Sequence, residues 1–273
     1  MSAPGGLWAA HFGFTRTPFS KSVPADKLFA RTAHGEAVAR IQYCIAESGL
    51  GVITGDVGAG KTVAVRAAVN GLDRTSYTVI YMANPSGGCR GLYVSITTAL
   101  GATPRFHKAE AIAQVAYLLA AEHAEKHRKV VFMIDEAHLL SPEQLEELRL
   151  LSSADMDSSS PFAGILIGQP TLSTRLRQGV FAALDQRISV RYELAGMDLA
   201  ESVAYLRHHI ELAGRTDQVF ADDAAARMHR YANGIPRALN NAARSALMAA
   251  AADGKGIVDD LCAKKAVAEL TRN

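Results

Sequence analysis

The amino-acid sequence predicts an α/β fold in which a parallel five-stranded sheet is flanked by helices, followed by a small all-helical domain. Five short apolar runs of strand length lie within residues 49–196 and alternate with helical patterns, an order typical of βαβ units. After residue 196 such runs stop, and four alanine-rich helical patterns follow. We expect an N-terminal linker with a first helix (1–48), an α/β core (49–196) and a helical domain (197–273).

Periodicity and boundary residues predict the individual elements. A helix over 33–47 would place Val38, Ile41 and Ile45 on one face. The segment 141–144, Ser-Pro-Glu-Gln, is a typical helix start, because serine caps the first turn, proline fits there and glutamine completes a capping box. The expected strands are 49–54, 77–82, 129–134, 164–167 and 188–194. The expected helices are 33–47, 63–69, 92–100, 109–126, 142–152, 198–213, 221–232, 236–252 and 258–272.

Composition excludes several classes of protein. The chain has 273 residues, of which 49% are hydrophobic, so disorder is not expected. Lys and Arg number 29 against 27 Asp and Glu, a balance that excludes a uniformly basic nucleic-acid binder and allows a local basic patch. Cys44, Cys89 and Cys262 lie far apart and form no CxxC pair, so a disulfide framework or zinc ribbon is not indicated. Without a signal peptide or a long apolar run, we expect a soluble cytoplasmic protein with no membrane partner.

A glycine-rich segment between a predicted strand and a predicted helix fits the pattern GxxxxGK[ST] at every required position. Its residues are Gly55, Asp56, Val57, Gly58, Ala59, Gly60, Lys61 and Thr62. Such a loop wraps backbone amides around phosphate oxygens and offers them a helix N-terminus. Lys61 is expected to bridge the β- and γ-phosphates of ATP, and Thr62 to bind Mg²⁺. The alternative is a chance glycine turn.

Two carboxylates follow the predicted strand 129–134 directly. We expect Asp135 to hold Mg²⁺ through its water shell. Side chains alternate along an extended segment, so Glu136 would point elsewhere and orient or deprotonate the attacking water; the alternative is an exposed acidic loop. His138 either senses nucleotide or is a hydrogen-bonded surface residue. His208 and His209 are expected to be solvated helix residues, because adjacent helix positions do not face each other.

With these residues, the chain resembles an AAA+ ATPase of the ExeA-type group, which includes secretion-pathway ATPases and the target-selecting ATPases of bacterial transposons. The resemblance covers nearly all of residues 11–250 and follows the order of motifs in that group. The motifs are FGF with PF and His34, then GDVGAGKT, IDEAH, ELRLLSS, IGQP, LDQRISVRYEL and NGIPRALN.

The resemblance implies further roles. Gln169 takes the position of a sensor that helps to hold the attacking water, and Arg187 that of an arginine finger reaching a neighbouring subunit's site. The alternative for Arg187 is a surface ion pair with Asp185 or a neighbouring acid. Arg237, after Pro236 in the motif GIPR, takes the position of a second sensor at the γ-phosphate, the alternative being solvent exposure. The aromatic segment from Phe19 to His34 would fold over the adenine, or its aromatics would pack under the sheet.

The resemblance also implies assembly into rings or helical filaments and contact with duplex DNA. In such relatives the segment after the second strand touches the DNA backbone, which corresponds here to residues 84–90. The candidate contacts are Arg90, Thr103, Arg105 and Lys108; the alternative is an ordinary solvent loop.

Four functions remain open at this point. The chain ends at Asn273 without a membrane span, which favours a transposon-encoded regulator that recruits a transposase over a secretion ATPase. The main alternative is an AAA+ ATPase that assembles a protein machine without DNA. The Asp135-Glu136 pair and the GIPR motif argue against a small-molecule phosphotransferase, and Glu136 argues against a nucleotide switch that does not hydrolyse ATP.

Overall fold

A computed structural model describes residues 7–20, 27–153 and 160–272, and the structural statements below refer to these residues. The strands are β1 (Leu50–Thr54), β2 (Tyr77–Met82), β3 (Lys129–Ile134), β4 (Phe162–Gly168) and β5 (Ile188–Glu193). The helices are α1 (Leu7–His11), α2 (Thr32–Ala46), α3 (Lys61–Asn70), α4 (Gly88–Ala99), α5 (Lys108–Lys126), α6 (Pro142–Leu151), α7 (Pro170–Leu176), α8 (Ala182–Asp185), α9 (Leu199–Leu212), α10 (Asp222–Ala232), α11 (Pro236–Ala252) and α12 (Asp260–Arg272).

The chain forms two compact units. The α/β unit contains residues 32–56 and 60–194, and the helical unit contains the described residues of 1–31, 57–59 and 195–273. The expected grouping of residues 1–48 into one segment is therefore wrong. Helix α1 belongs to the helical unit, where Phe12 and Phe14, which follow it, are buried. Helix α2 belongs to the α/β unit and packs on the sheet.

The sheet has the strand order β2-β3-β4-β1-β5, and every neighbouring pair is parallel. Thr54 pairs with Gly168, and Ile134 pairs with Leu166. In a parallel sheet all carboxyl ends lie at one edge, which is where ligands bind in open α/β sheets. The segments that follow β1, β3 and β4 are therefore neighbours, although they are far apart in sequence.

Helices cover both faces of the sheet. All residues of β1 and β4 are buried, as expected for central parallel strands. On one face Ile53, Met133 and Ile165 pack with Ile41 and Ile45 of α2, so the predicted apolar face of that helix is confirmed. The other face packs against α4, α5, α6 and α7 through a second apolar cluster.

Local signals position the loops at the carboxyl edge. The hydroxyl of Ser141 accepts the amide of Gln144 at 3.2 Å, and the side-chain oxygen of Gln144 accepts the amide of Ser141 at 2.9 Å, so the predicted capping box is confirmed. Gln144 is buried and also donates to the carbonyl of Pro85 at 2.8 Å. It thereby ties the segment after β2 to the start of α6.

The helical unit is built around small residues. Ala242, Ala243, Ala246 and Ala250 of α11 are fully buried, and small side chains allow neighbouring helices to approach closely. Two hydrogen bonds of 2.5 and 2.7 Å join the guanidinium of Arg227 to Asp260, linking α10 to α12. No described helix combines the length and the apolarity that crossing a bilayer requires.

The N-terminal aromatics belong to this helical core. Phe12, Phe14 and Phe19 are buried there, and Phe29 packs against the same cluster, so the alternative that the aromatics from Phe19 to His34 pack under the sheet is wrong. The ring of Phe19 lies 5.0 Å from that of His209 and 6.2 Å from that of Phe220. His209 is only 7% exposed, which corrects its assignment as a solvated residue. Nε2 of His208 donates to the carbonyl of Lys27 at 2.9 Å.

Candidate nucleotide-binding site

The glycine loop between β1 and α3 requires glycine for both conformation and space. Gly58 and Gly60 have φ values of +89° and +101°, in the left-handed region that favours glycine. A Cβ added at Gly60 would lie 2.6 Å from Nε2 of His34. The α/β unit therefore brings the start of α2 against the loop where α3 begins, and the free amides of that helix N-terminus suit an anion.

Lys61, the first residue of α3, extends back along the loop. Its ammonium donates to the carbonyls of Gly55 at 2.7 Å and Asp56 at 3.0 Å. These contacts hold a positive charge beside the loop backbone, in the position expected of a phosphate-binding lysine.

The tip of the loop, residues 57–59, belongs to the helical unit. A Cβ at Gly58 would lie 2.4 Å from Cβ of Arg237, so Arg237 in the first turn of α11 directly adjoins the tip. The buried guanidinium of Arg31 donates to the carbonyls of Ala59 at 3.2 Å and Ala195 at 2.9 Å. Arg237 therefore places a cation next to Gly58, and its side chain is exposed.

Three side chains converge at the carboxylate of Asp135. The hydroxyl of Thr62 lies 3.3 Å from Oδ2, and the hydroxyl of Tyr81 donates to the same oxygen at 2.7 Å. Oδ1 accepts the backbone amide of Glu136 at 2.9 Å. Burial, together with the hydrogen bond to Asp135, raises the pKa of Tyr81 to about 12. Hydroxyl and carboxylate oxygens are the ligands that Mg²⁺ prefers, so the donor set fits this ion.

Glu136 projects from a tight turn. Its φ of +51° lies in the left-handed region, and it precedes a short 3₁₀ turn at Ala137–Leu139. The expected reason for its direction, alternation along an extended segment, is therefore wrong, because the strand ends at Ile134. A left-handed conformation costs a non-glycine residue about 1 kcal/mol. Residues in such conformations are found preferentially at functional sites. The side chain of Glu136 is 54% exposed and is thus accessible to a water molecule.

The turn after β3 is held from two sides. Arg175 of α7 donates to the carbonyls of His138 at 3.3 Å and Leu140 at 2.5 Å. A Cβ at Gly168 would lie 3.1 Å from the amide nitrogen of His138, so only glycine lets the end of β4 approach this closely. Nδ1 of His138 lies 3.4 Å from Oε2 of Glu136, which places His138 beside the candidate base.

Gln169 directly follows β4 and precedes the first residue of α7. Because β4 lies between β3 and β1 in the sheet, Gln169 lies between the segment of Asp135 and the glycine loop. This is the location from which an amide can contact a water between them.

Arg187 lies at the opposite edge of the sheet. It immediately precedes β5, whose first residue pairs with Leu50 and whose last residue, Glu193, pairs with Thr54. Five residues of strand span about 17 Å, so Arg187 is too far from the glycine loop of its own chain to act there. Asp185, one of the acids considered in the alternative for Arg187, forms an ion pair with Arg191 at 2.5 Å.

The candidate DNA contacts fall into two groups. The guanidinium of Arg90 lies 4.9 Å from the ring centre of Phe106, which is 73% exposed. Gln114 fixes the neighbouring loop, because it donates to the carbonyl of Thr103 at 2.9 Å and accepts the amide of Arg105 at 3.1 Å. The guanidinium of Arg90 therefore contacts an exposed aromatic ring, and Arg105, which is also exposed, directly precedes that ring in a hydrogen-bonded loop.

Lys108 differs from these residues. Its ammonium forms an ion pair with Glu147, which is only 8% exposed and also accepts the hydroxyl of Tyr93. Burial alone would raise the pKa of Glu147, but the hydrogen bonds from Lys108 and Tyr93 outweigh burial and lower it. Lys108 therefore neutralises a buried carboxylate within the unit.

Sequence reasoning did not find Tyr81, Arg175 and Phe106. Tyr81 lies within an ordinary strand pattern and Arg175 within a helix of seven residues, so neither carries a motif. Phe106 stands between Arg105 and Lys108, and such mixing of aromatic and basic residues is a recognisable signal of nucleic-acid binding.

The chain matches known proteins in sequence and in fold. The AAA domain family matches residues 45–176. General secretion pathway protein A of Aeromonas hydrophila is 33% identical over 253 residues, which cover 91% of this chain and 46% of that protein. The chain thus spans about half the length of this curated relative.

Two solved structures illustrate the similarity of fold. Cdc6p from Pyrobaculum aerophilum has a TM-score of 0.66 at 15% identity, covering 88% of this chain and 67% of that one. The ORC1 protein of Aeropyrum pernix, solved in complex with DNA, has a TM-score of 0.61 at 16% identity, covering 91% and 68%. These similarities confirm the predicted fold class, a parallel five-stranded P-loop core with a helical C-terminal region.

Proposed function

We propose that this chain is an AAA+ ATPase that hydrolyses ATP with Mg²⁺, and that it assembles on duplex DNA and regulates transposition. The match of residues 45–176 to the AAA domain family and the 33% identity with general secretion pathway protein A support the ATPase activity. In this proposal the protein selects target DNA in the cytoplasm and recruits a transposase. The observation that carries the proposal is the hydrogen-bonded loop of residues 103–107, where the exposed ring of Phe106 contacts the guanidinium of Arg90 and follows the exposed Arg105.

In this proposal, each step of the chemistry belongs to a residue of this chain. Lys61 and the amides of the glycine loop, from Gly55 to Thr62, hold the phosphates, and Thr62 and Asp135 hold Mg²⁺. When bound there, Mg²⁺ would neutralise negative charge on the phosphates. Glu136 accepts a proton from the attacking water, and Gln169 orients that water. The carboxylate of Glu136 suits this role because it is exposed on a turn that is held by other residues.

Two arginines complete the site in this proposal. Arg237 adjoins Gly58 and adds positive charge near the γ-phosphate. Arg187 acts on a neighbouring subunit, because about 17 Å of strand separates it from the loop of its own chain. A positive charge that meets the transferring phosphoryl group stabilises the transition state. Each site would then be complete only in an assembly, such as a ring or a helical filament.

DNA binding would depend on repetition. The chain has a net charge of only +2, and each subunit offers Arg90, Arg105 and the hydroxyl of Thr103. An assembly repeats these groups along the duplex, so many weak contacts add up to firm binding. Contacts of this kind bind the phosphates without distinguishing the bases, and the affinity they provide decreases as the salt concentration rises. Lys108, which pairs with Glu147, would contribute less.

The test is retention of the protein on duplex DNA with a slowly hydrolysed ATP analogue, measured over a range of salt concentrations. We expect Arg105→Ala and Arg90→Ala each to weaken retention and to reduce the slope against the logarithm of salt concentration. Arg74→Ala is the matched control, because it removes one exposed arginine elsewhere in the unit. Equal retention of all four proteins would refute this interface.

The main alternative is an ATPase that assembles or remodels a protein machine without DNA. The similarity to general secretion pathway protein A favours it. Stimulation of ATP hydrolysis by duplex DNA distinguishes the two functions: stimulation supports the DNA-binding proposal, whereas neither stimulation nor retention on DNA supports the alternative.

A further inference from the structure

We propose that Tyr81 is a positioning residue for Asp135, the carboxylate assigned to hold Mg²⁺ through its water shell, and that the hydroxyl group of Tyr81 strengthens the binding of the divalent ion. The inference rests on the proposed assignment of Thr62 and Asp135 to Mg²⁺. It adds a residue of the edge strand β2 that lies outside both nucleotide-binding motifs.

The hydrogen bonds around Asp135 carry the inference. The hydroxyl of Tyr81 donates to Oδ2 at 2.7 Å, the oxygen that faces the hydroxyl of Thr62 at 3.3 Å. Oδ1 is engaged separately by the amide of Glu136 at 2.9 Å. Both oxygens of the carboxylate are thus tied, and rotation about the side-chain bonds would break at least one of these contacts.

The backbone explains why Tyr81 is in reach. Tyr81 pairs with Met133, two residues before Asp135, and the amide of Asp135 donates to the carbonyl of Met82 at 2.8 Å. The end of β2 therefore holds both the main chain and the side chain of Asp135.

Packing alone does not account for Tyr81. Its side chain is 50% exposed, so a tyrosine here buries only part of its ring in the protein. The hydroxyl group is the part of the residue that makes the short contact with Asp135. A role in orienting the carboxylate accounts for a half-exposed phenol at this edge of the sheet.

The expected effect follows from the behaviour of groups that orient metal ligands. Removing a hydrogen-bond partner of a metal ligand typically weakens metal affinity by about 10- to 100-fold. Because Tyr81 is half exposed, water can replace its hydroxyl in part, and we expect about a tenfold loss. The affinity for nucleotide without metal should stay the same, since Tyr81 adjoins the carboxylate and not the glycine loop.

The experiment uses the full chain with ADP and Mn²⁺, an ion whose free concentration is read by electron paramagnetic resonance. Tyr81→Phe should raise the dissociation constant of Mn²⁺ about tenfold and leave the affinity for ADP in EDTA within about twofold of wild type. Tyr77→Phe is the matched control, because it removes a hydroxyl from the same strand at the end away from Asp135. It should change neither constant.

Two results would overturn the inference. One is an unchanged Mn²⁺ dissociation constant in Tyr81→Phe, and the other is an equal loss of ADP affinity in EDTA, which would indicate general damage to the site. Asp135→Asn separates this inference from the assignment beneath it. If Asp135→Asn weakens Mn²⁺ binding and Tyr81→Phe does not, only the role of Tyr81 fails; if neither does, the proposed magnesium site fails as well.

Discussion

The hydroxyl of Thr62 lies 3.3 Å from Oδ2 of Asp135, although 73 positions separate the two residues in sequence. The strand order brings them together, because β1 and β3 flank β4 and their following segments share the carboxyl edge of the sheet. A hydroxyl and a carboxylate that converge in this way supply oxygen atoms of the kind that bind a hard cation such as Mg²⁺.

Replacing Thr62 tests this pair first. Thr62→Ala removes the hydroxyl, and we expect Mg²⁺-dependent hydrolysis of ATP to fall on the order of 100-fold, because charge on the phosphates is then poorly neutralised. Thr62→Ser is the control, since it keeps the hydroxyl and should retain most activity. Steady-state ATPase assays over a range of Mg²⁺ concentrations measure both variants. Equal losses in the two would exclude a role for the hydroxyl.

Glu136→Gln tests the assigned general base. A positioned base contributes about 10²- to 10⁴-fold to a rate, so we expect hydrolysis to fall at least 100-fold, while the amide keeps the size of the side chain and ATP affinity changes little. Binding of a fluorescent nucleotide measures the affinity, and release of phosphate measures the rate of hydrolysis. Glu125→Gln, an exposed change on α5, should leave both unchanged. Wild-type hydrolysis by Glu136→Gln would remove Glu136 from the mechanism.

Lys108 and Arg90 should respond differently to replacement by alanine. Lys108→Ala leaves the buried carboxylate of Glu147 without its cation, and we expect the free energy of unfolding to fall by about 1–2 kcal/mol. The loss stays at this level because the lysine itself is well exposed. Arg90→Ala should leave stability nearly unchanged and weaken DNA retention. Urea unfolding measures stability, and the opposite pattern would mean that the two cations have been assigned the wrong roles.

His209 should make stability depend on pH. Burial, with the charge of His208 as a smaller cause, lowers the pKa of His209 from 6.5 to about 4. Between these values the unfolded chain binds a proton that the folded chain excludes, so stability falls as the pH decreases from 6.5 to 4. From pH 7 to pH 5 the loss is about 2 kcal/mol.

Urea unfolding at pH 7 and pH 5 checks this expectation. His209→Gln should lose about 2 kcal/mol less than wild type between the two pH values, whatever its stability at pH 7. His123→Gln, which changes an exposed histidine of α5, should behave like wild type. If His209→Gln and wild type lose the same stability, His209 is not the group that titrates.

The sequence was most informative where local chemistry determines structure. The capping box at Ser141 and the apolar face of α2 depend on residues three or four positions apart, and both were predicted from spacing. The helices α7 and α8 were missed because seven and four residues are too few for a periodic pattern. The direction of Glu136 was explained wrongly, because its left-handed turn depends on the contacts that hold the segment after β3.

Contacts between distant residues could not be predicted. The hydroxyl of Tyr81 reaches Asp135 because β2 and β3 pair in one particular register, and the alternation of polar and apolar residues does not specify that register. The burial of His209 depends on Phe19, which precedes it by 190 residues. The ion pair of Lys108 with Glu147 likewise joins residues of α5 and α6 that are far apart in sequence. Because the sequence does not reveal this pair, Lys108 was expected to contact DNA.

In the proposed assembly, Arg187 of a neighbouring subunit completes each ATP site, and mixing two inactive variants tests for this shared site. Arg187→Ala keeps its own site and lacks the finger, whereas Glu136→Gln keeps the finger and lacks the base. When equal amounts of the two proteins are mixed under assembly conditions, about a quarter of the interfaces should pair an intact site with an intact finger. We expect ATP hydrolysis to recover to about that fraction of the wild-type rate. Activity equal to the average of the two separate variants would contradict it.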